Sequence, residues 1–257
     1  MRPVKLIVAG SILAGVAVAI VAGVFLISGD GALARAADRL EHENAGMDIR
    51  IETIENGERT VMRGSMVRDA TGRRGFMEVQ STFEGQGTIE QNILAVGEDV
   101  WIEMPEITHL LPEGKRWVHM VEQTAMVETL TLPDFIDFLR ESDTVENLGE
   151  STAGGRKLTH YRGKLSAKDL ADRIGGETDA NFERLLGRQD LLAPVDAWIG
   201  DDGSIEKVTM SAEAGGSKVT SHVENVAFGV PADFRPPPER EVVSEEEFNR
   251  AMEADEA

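Results

Sequence analysis

The chain contains no cysteine. That excludes a disulfide framework, a thiolate metal site, a cysteine nucleophile and a diacylglyceryl-cysteine anchor. Aromatic residues are scarce, 5% of 257, so a stacking surface for bases or sugars is not expected. Positive charge is in deficit: 26 Lys and Arg stand against 46 Asp and Glu, a net charge of −20. A surface of that sign repels phosphate backbones, so no nucleic-acid partner is expected. Long apolar runs are absent but for one. What is present is 41% apolar residues, enough for a core, over a length suited to one large domain or two small ones.

The single long run is residues 6–27, LIVAGSILAGVAVAIVAGVFLI, without a charge. A helix of that length reaches about 33 Å, enough to cross a hydrocarbon layer of about 30 Å. Arg2 and Lys5 precede it and Asp30 follows it, which predicts residues 1–5 in the cytoplasm and everything after Asp30 outside the cytoplasmic membrane. The rival reading is a cleaved signal peptide with Ala32-Leu33-Ala34 as its A-x-A site, which gives a secreted domain. Ser11, Gly15, Ala19 and Gly23 recur every four residues, a small-residue face suited to weak self-association of the span.

Beyond residue 30 the chain carries 24 basic and 45 acidic residues, a net −21. Leu33, Ala36, Ala37 and Leu40 form an apolar helical stripe in a helix predicted to run to about Asn44, with Gly46 as its stop. The period then changes. Met47, Ile49 and Ile51 alternate with charged residues, a half-buried strand, and Asn56-Gly57 is a two-residue hairpin signal. Strand-like runs follow at 60–68, 75–83, 88–96, 100–104 and 116–121, with 105–114 read as a loop. Pro133 opens a helix over 133–141. A hairpin is predicted at 144–151 and 156–165, short helices at 166–174 and 178–187, and strands at 195–199, 204–214 and 218–228. A Pro-rich, then acidic tail occupies 236–257, its acidic part either a short helix or a disordered end. The sum is an α+β chain, mainly antiparallel β: about eleven strands in one half-closed, curved sheet, an incomplete barrel with short lid helices, plus one N-terminal transmembrane helix. The outer domain spans 31–235.

Two passages carry a family resemblance. Asp99-Val100-Trp101-Ile102-Glu103-Met104-Pro105 followed by Pro112-Glu113-Gly114-Lys115-Arg116-Trp117-Val118 resembles the strand, Pro, loop, G-K-x-W-V passage of LolA/LolB-like extracytoplasmic proteins, and most of all the LppX/LprG-type actinobacterial lipoproteins. Thr159-His160-Tyr161-Arg162-Gly163 and Pro194-Val195-Asp196-Ala197-Trp198-Ile199 with Asp201-Asp202-Gly203 agree with it. The resemblance implies a half-closed antiparallel barrel with helices as a lid, binding acyl chains or lipoproteins in its hollow. Relatives usually carry a lipobox cysteine. This chain has none, so its anchor would be the helix, and a tethered protein presents or senses a lipid instead of diffusing away with it.

The chemistry-bearing residues point away from catalysis. His42, His109, His119, His160 and His222 include no i, i+4 pair and no H-E-x-x-H. Asp201-Asp202-Gly203 lacks the further oxygen ligands of a calcium loop, and no G-x-S-x-G is present. No catalytic residue, metal ligand or cofactor is therefore expected, and the chain reads as a non-enzyme. Lipid-hollow residues are expected at Ile49, Ile51, Met66, Met77, Val79 and Trp101 on strands, and at Phe135, Phe138 and Leu139 on the lid helix. Two functions stay open: a membrane-tethered protein holding a lipid acyl chain or lipoprotein, and an envelope signalling or structural interaction module whose core is filled.

Overall fold

The computed structural model describes residues 31–255 except 56, 86, 121–144, 154, 167–191 and 215–216. The membrane helix expected over 6–27 and the lid helices expected over 133–141 and 178–187 lie outside the described residues. So does nearly all of the one expected over 166–174. Among the described residues no helix is long and apolar enough to cross a membrane.

The chain begins with α1 (Gly31–His42) and proceeds through β1 (Ala45–Glu55), β2 (Glu58–Arg68), β3 (Arg74–Phe83), β4 (Gly87–Val96) and β5 (Asp99–Glu103). A 3-10 helix (Pro105–Leu110) leads to β6 (Trp117–Met120). After the first long undescribed stretch come β7 (Glu146–Ala153) and β8 (Arg156–Ser166). After the second come β9 (Leu192–Gly200), β10 (Ile205–Ala214) and β11 (Ser217–Phe228). A short 3-10 turn (Glu239–Glu241), β12 (Val242–Ser244) and α2 (Glu245–Asp255) close the chain. All twelve strands form one sheet in the order β12-β6-β5-β4-β3-β2-β1-β11-β10-β9-β8-β7. The end strands β12 and β7 are not paired with each other, so the sheet is open, as the half-closed reading requires.

Period-2 alternation places most of the strands because they bury one side; β7, at the sheet edge, is exposed along nearly its whole length. β1 buries Met47, Ile49 and Ile51 while Asp48, Arg50 and Glu52 face the other way. The register at the first hairpin runs to Glu55↔Glu58, a two-residue turn, and Gly57 has φ +86. Nothing lies within 4 Å of a Cβ built there, so only the backbone resists a side chain. Gly57→Val is expected to lower stability by about 1–2 kcal/mol, read as a drop in melting temperature. An unchanged melting temperature would show that the positive φ is not required.

Four expectations are corrected. The helix ends at His42, and Gly46, expected as its stop, lies in β1 opposite Val67 and Ala227. The 105–114 loop holds a helical turn that buries Ile107. Ser166, expected to cap a helix, is the last residue of β8. Among the described residues the strands number twelve because the tail adds one that was not expected: Val242, Val243 and Ser244 pair in parallel with Trp117, Val118 and His119; the short helix, one of the two readings of the tail, follows it. Ser244 then caps α2 reciprocally. Its Oγ accepts from the Glu247 backbone N–H at 3.2 Å, and Glu247 Oε2 accepts from the Ser244 N–H at 3.1 Å, a capping box.

Candidate functional site: a methionine-rich apolar face

Directly opposed residues in a sheet share a face, so the strand register assembles the apolar side row by row. One row runs Met47–Met66–Met77–Ile93–Ile102–Val118–Val243 across seven strands. Beside it lies Tyr161–Ala197–Val208–Val223–Ile49–Gly64–Val79–Gln91. A third reads Val195–Met210–Ser221–Ile51–Met62. At the opposite end of the strands a fourth reads Ala45–Arg68–Gly75–Ala95–Val100–Met120. The buried residues of these rows join one continuous cluster with Leu33, Ala36 and Leu40 of α1 and with Ile107 and Phe248. Helical segments therefore lie on this face at both sides of the sheet.

Of the residues expected to line a hollow, Ile49, Ile51, Met66 and Val79 are buried in this cluster and Met77 packs against it, half-buried. Phe135, Phe138 and Leu139 lie outside the described residues. Trp101 is a correction. Val100 and Ile102 point into the cluster, so Trp101 between them faces the other way. It packs with Leu94, Trp117 and Phe234 in a second, smaller cluster. Trp198 likewise alternates with the buried Ala197 and Ile199. All three tryptophans are thus on the outer face.

Methionine is frequent on the inner one, beside a larger number of isoleucines and valines. Met47, Met62, Met66, Met104, Met120 and Met210 are buried there, and Met77 and Met252 pack against them. These are eight of the ten methionines in the chain. The sequence reading missed Met47, Met62 and Met210, although their alternation with Ile49, Met66 and Val208 was there to find them.

The outer face combines the smaller apolar cluster with polar and ionic groups. Asp99-Val100-Trp101-Ile102 and Asp196-Ala197-Trp198-Ile199 repeat one four-residue pattern, and both do the same thing. His119 stacks on Trp101 with ring centroids 4.9 Å apart, and its Nε2 lies 2.7 Å from Asp99 Oδ1. His160 stacks on Trp198 at 4.4 Å, and its Nε2 lies 2.6 Å from Asp196 Oδ1, which also accepts from Arg162. An open groove of about 440 Å³ runs beside the Pro236–Pro238 strap, floored by Phe76, Leu94 and Trp117. Among the described residues no three His, Asp or Glu side chains cluster as metal ligands do.

Two outer carboxylates carry pH dependence. Glu52 accepts from Arg59 Nε and Nη2 at 2.8 and 2.9 Å. These bonds, with Arg50 adding, bring its pKa down to about 2. Burial works to raise Asp69, but hydrogen bonds from Arg74 and Thr71 outweigh it and hold the carboxyl below its ordinary value. A depressed carboxyl binds protons more readily when unfolded. The stability both groups give is therefore complete above the ordinary carboxyl range and is lost as pH falls through the folded values. Melting temperature should decline from roughly pH 4.5 to pH 2, and Glu52→Gln should remove part of that decline. An identical acid profile for the variant would contradict the assignment.

The inner face holds few polar groups. Ser221 is 1% exposed, and its Oγ has no hydrogen-bond partner among the described residues. Arg68 is also 1% exposed, and burial brings its pKa down to about 10.

No family profile matches the chain, and no curated protein matches it in sequence. Several solved structures are similar to it at low identity. LprF from Mycobacterium bovis is 11% identical, with a TM-score of 0.49 over 82% of this chain and 98% of that one. The lipoprotein LppX from Mycobacterium tuberculosis is 10% identical, with a TM-score of 0.46 over 79% and 96%. A LolA superfamily protein from Nitrosomonas europaea is 10% identical, with a TM-score of 0.30 over 83% and 96%.

Proposed function

We propose that this chain is a membrane-tethered binding protein, not an enzyme, that holds the acyl chain of a lipid or lipoprotein against its methionine-rich face outside the cytoplasmic membrane. One observation carries the reading: the separation of side-chain types between the two faces of the sheet. β-branched residues fit a pleated surface and hold one rotamer, and isoleucine and valine supply most of the inner rows. Set among them are six methionines, while the tryptophans are all on the far side; what distinguishes the inner rows is the methionine. Its unbranched thioether chain adapts to irregular partners, as at promiscuous binding surfaces. A flexible acyl chain is such a partner, and each buried CH₂ contributes about 0.8 kcal/mol.

The uncharged run at 6–27 supports tethering, and it places the acyl-binding domain beside a lipid supply. The acidic exterior suits a ligand whose chain goes inside while the surface stays in water.

The burial of Met47, Met66 and Ile49, 3–6% exposed, favours a second reading, an interaction module whose core is already filled. Titration of a fluorescent fatty-acyl probe separates the two. Saturable binding, displaced by unlabelled fatty acid, is expected of the acyl-binding protein, whereas absence of binding leaves the interaction module.

A further inference from the structure

Arg68 is a buried cation that hydrogen-bonds to no anion; the neighbouring Asp69 acts on it only through space. It ends β2 with the same alternation as Met62 and Met66, so it stands on the apolar face, directly opposite Ala45 and Gly75. Both are small residues. Its Nε donates to the Asp69 carbonyl at 3.1 Å, and its Nη2 donates to the carbonyls of Leu40 at 3.4 Å and Ala70 at 3.2 Å. Nη1 has no partner among the described residues.

All three acceptors are neutral. The adjacent carboxylate does not serve Arg68, because Asp69 is engaged by Thr71 Oγ1 and by the backbone N–H and Nε of Arg74. An arginine stays charged in a protein. A buried charge with an unused donor and no hydrogen-bonded counter-charge is strongly disfavoured. Helix capping explains the bond to Leu40, but it does not explain Nη1.

We propose that Arg68 Nη1 receives an oxyanion, the carboxylate or phosphate that terminates an acyl amphiphile whose chain lies along the methionine rows. The site is the end of the apolar face that α1 crosses, where Leu40 is buried. From the Ala45–Arg68 row to the Ile51–Met62 row is six residues along β1, about 20 Å of strand, a length that matches a long chain laid head-first. Guanidinium is the group suited to this, a planar fork that is less costly to dehydrate than an ammonium. The inference rests on the acyl-binding reading and specifies it: the polar head goes in and is recognised.

The test uses the full chain in lipid nanodiscs and three photoactivatable probes with the same diazirine-bearing chain: a fatty acid, the matching alcohol and the matching monoalkyl phosphate. The expected result is labelling of wild type by acid or phosphate roughly tenfold or more above the alcohol, the scale of one charge-assisted hydrogen bond. Which of the two anions labels better identifies the source of the head group. In Arg68→Met that preference should vanish while labelling by the alcohol persists, and Arg68→Lys should retain part of it. Near-ultraviolet circular dichroism checks that each variant is folded. If Arg68→Met does not fold, the wild-type preference and Arg68→Lys decide. Equal labelling of wild type by acid, phosphate and alcohol overturns the anchor and leaves the acyl reading standing, as does a preference that survives in Arg68→Met. No labelling by any probe overturns both.

Discussion

Gly64→Val is expected to lower stability by about 3 kcal/mol or more, the upper range for forcing extra atoms into a packed interior, and to lower the melting temperature by roughly 6–12 °C. Gly64 lies in the row between Ile49 and Val79. A Cβ built on it would stand 2.0 Å from the Glu78 carbonyl oxygen and 2.9 Å from Val79 Cα. Both obstacles are backbone, so no rotamer change relieves them, and β3 would have to move off β2. Gly57 supplies the control, since a Cβ there meets nothing. Two central strands pressed this closely set the shape of the apolar face, so the variant should also weaken acyl binding. Equal losses at Gly64 and Gly57 would show that the close approach does not hold.

Phe248→Ala is expected to cost about 3–5 kcal/mol, typical of removing a large buried ring. Phe248 is 6% exposed in α2, and Val243 before it is 1% exposed in β12. Together they seat the C-terminal segment on β6 and the Pro105–Leu110 turn. Thermal melting measures the loss, and amide exchange at Trp117–Met120 should quicken because β12 protects that edge. A variant as stable as wild type, with unchanged exchange, would return residues 242–255 to the status of a loose tail.

That segment also shows what composition conceals. Glu241 to Phe248 reads as acidic and solvated, and two valines and one phenylalanine scarcely alter the average. Yet Ser244 with Glu247 is a capping box written in the sequence, and it marks the start of α2. The long strands β1 to β4 and β8 to β11 were legible because burial on one side imposes strict alternation, and because Asn56-Gly57 and Asp202-Gly203 fix the turns. Trp101 was misplaced for a related reason. Val100-Trp101-Ile102 is an unbroken apolar triplet, so alternation alone leaves two phases open. The register Ile93–Ile102–Val118 decides between them, and register is a tertiary property. Arg68 escaped notice because a charged residue at a strand end reads as exposed. Its phase with Met62 and Met66 was visible, but its lack of a hydrogen-bonded counter-ion could be seen only in three dimensions.

The most direct test of the central claim is native mass spectrometry of the full chain released from detergent in the gas phase, followed by lipid extraction of the same sample. The acyl-binding account predicts a population heavier than the bare chain by the mass of one acyl lipid or fatty acid, recovered in the extract and displaced by added long-chain fatty acid. A single peak at the mass of the bare chain, unchanged when fatty acid is added, would contradict it.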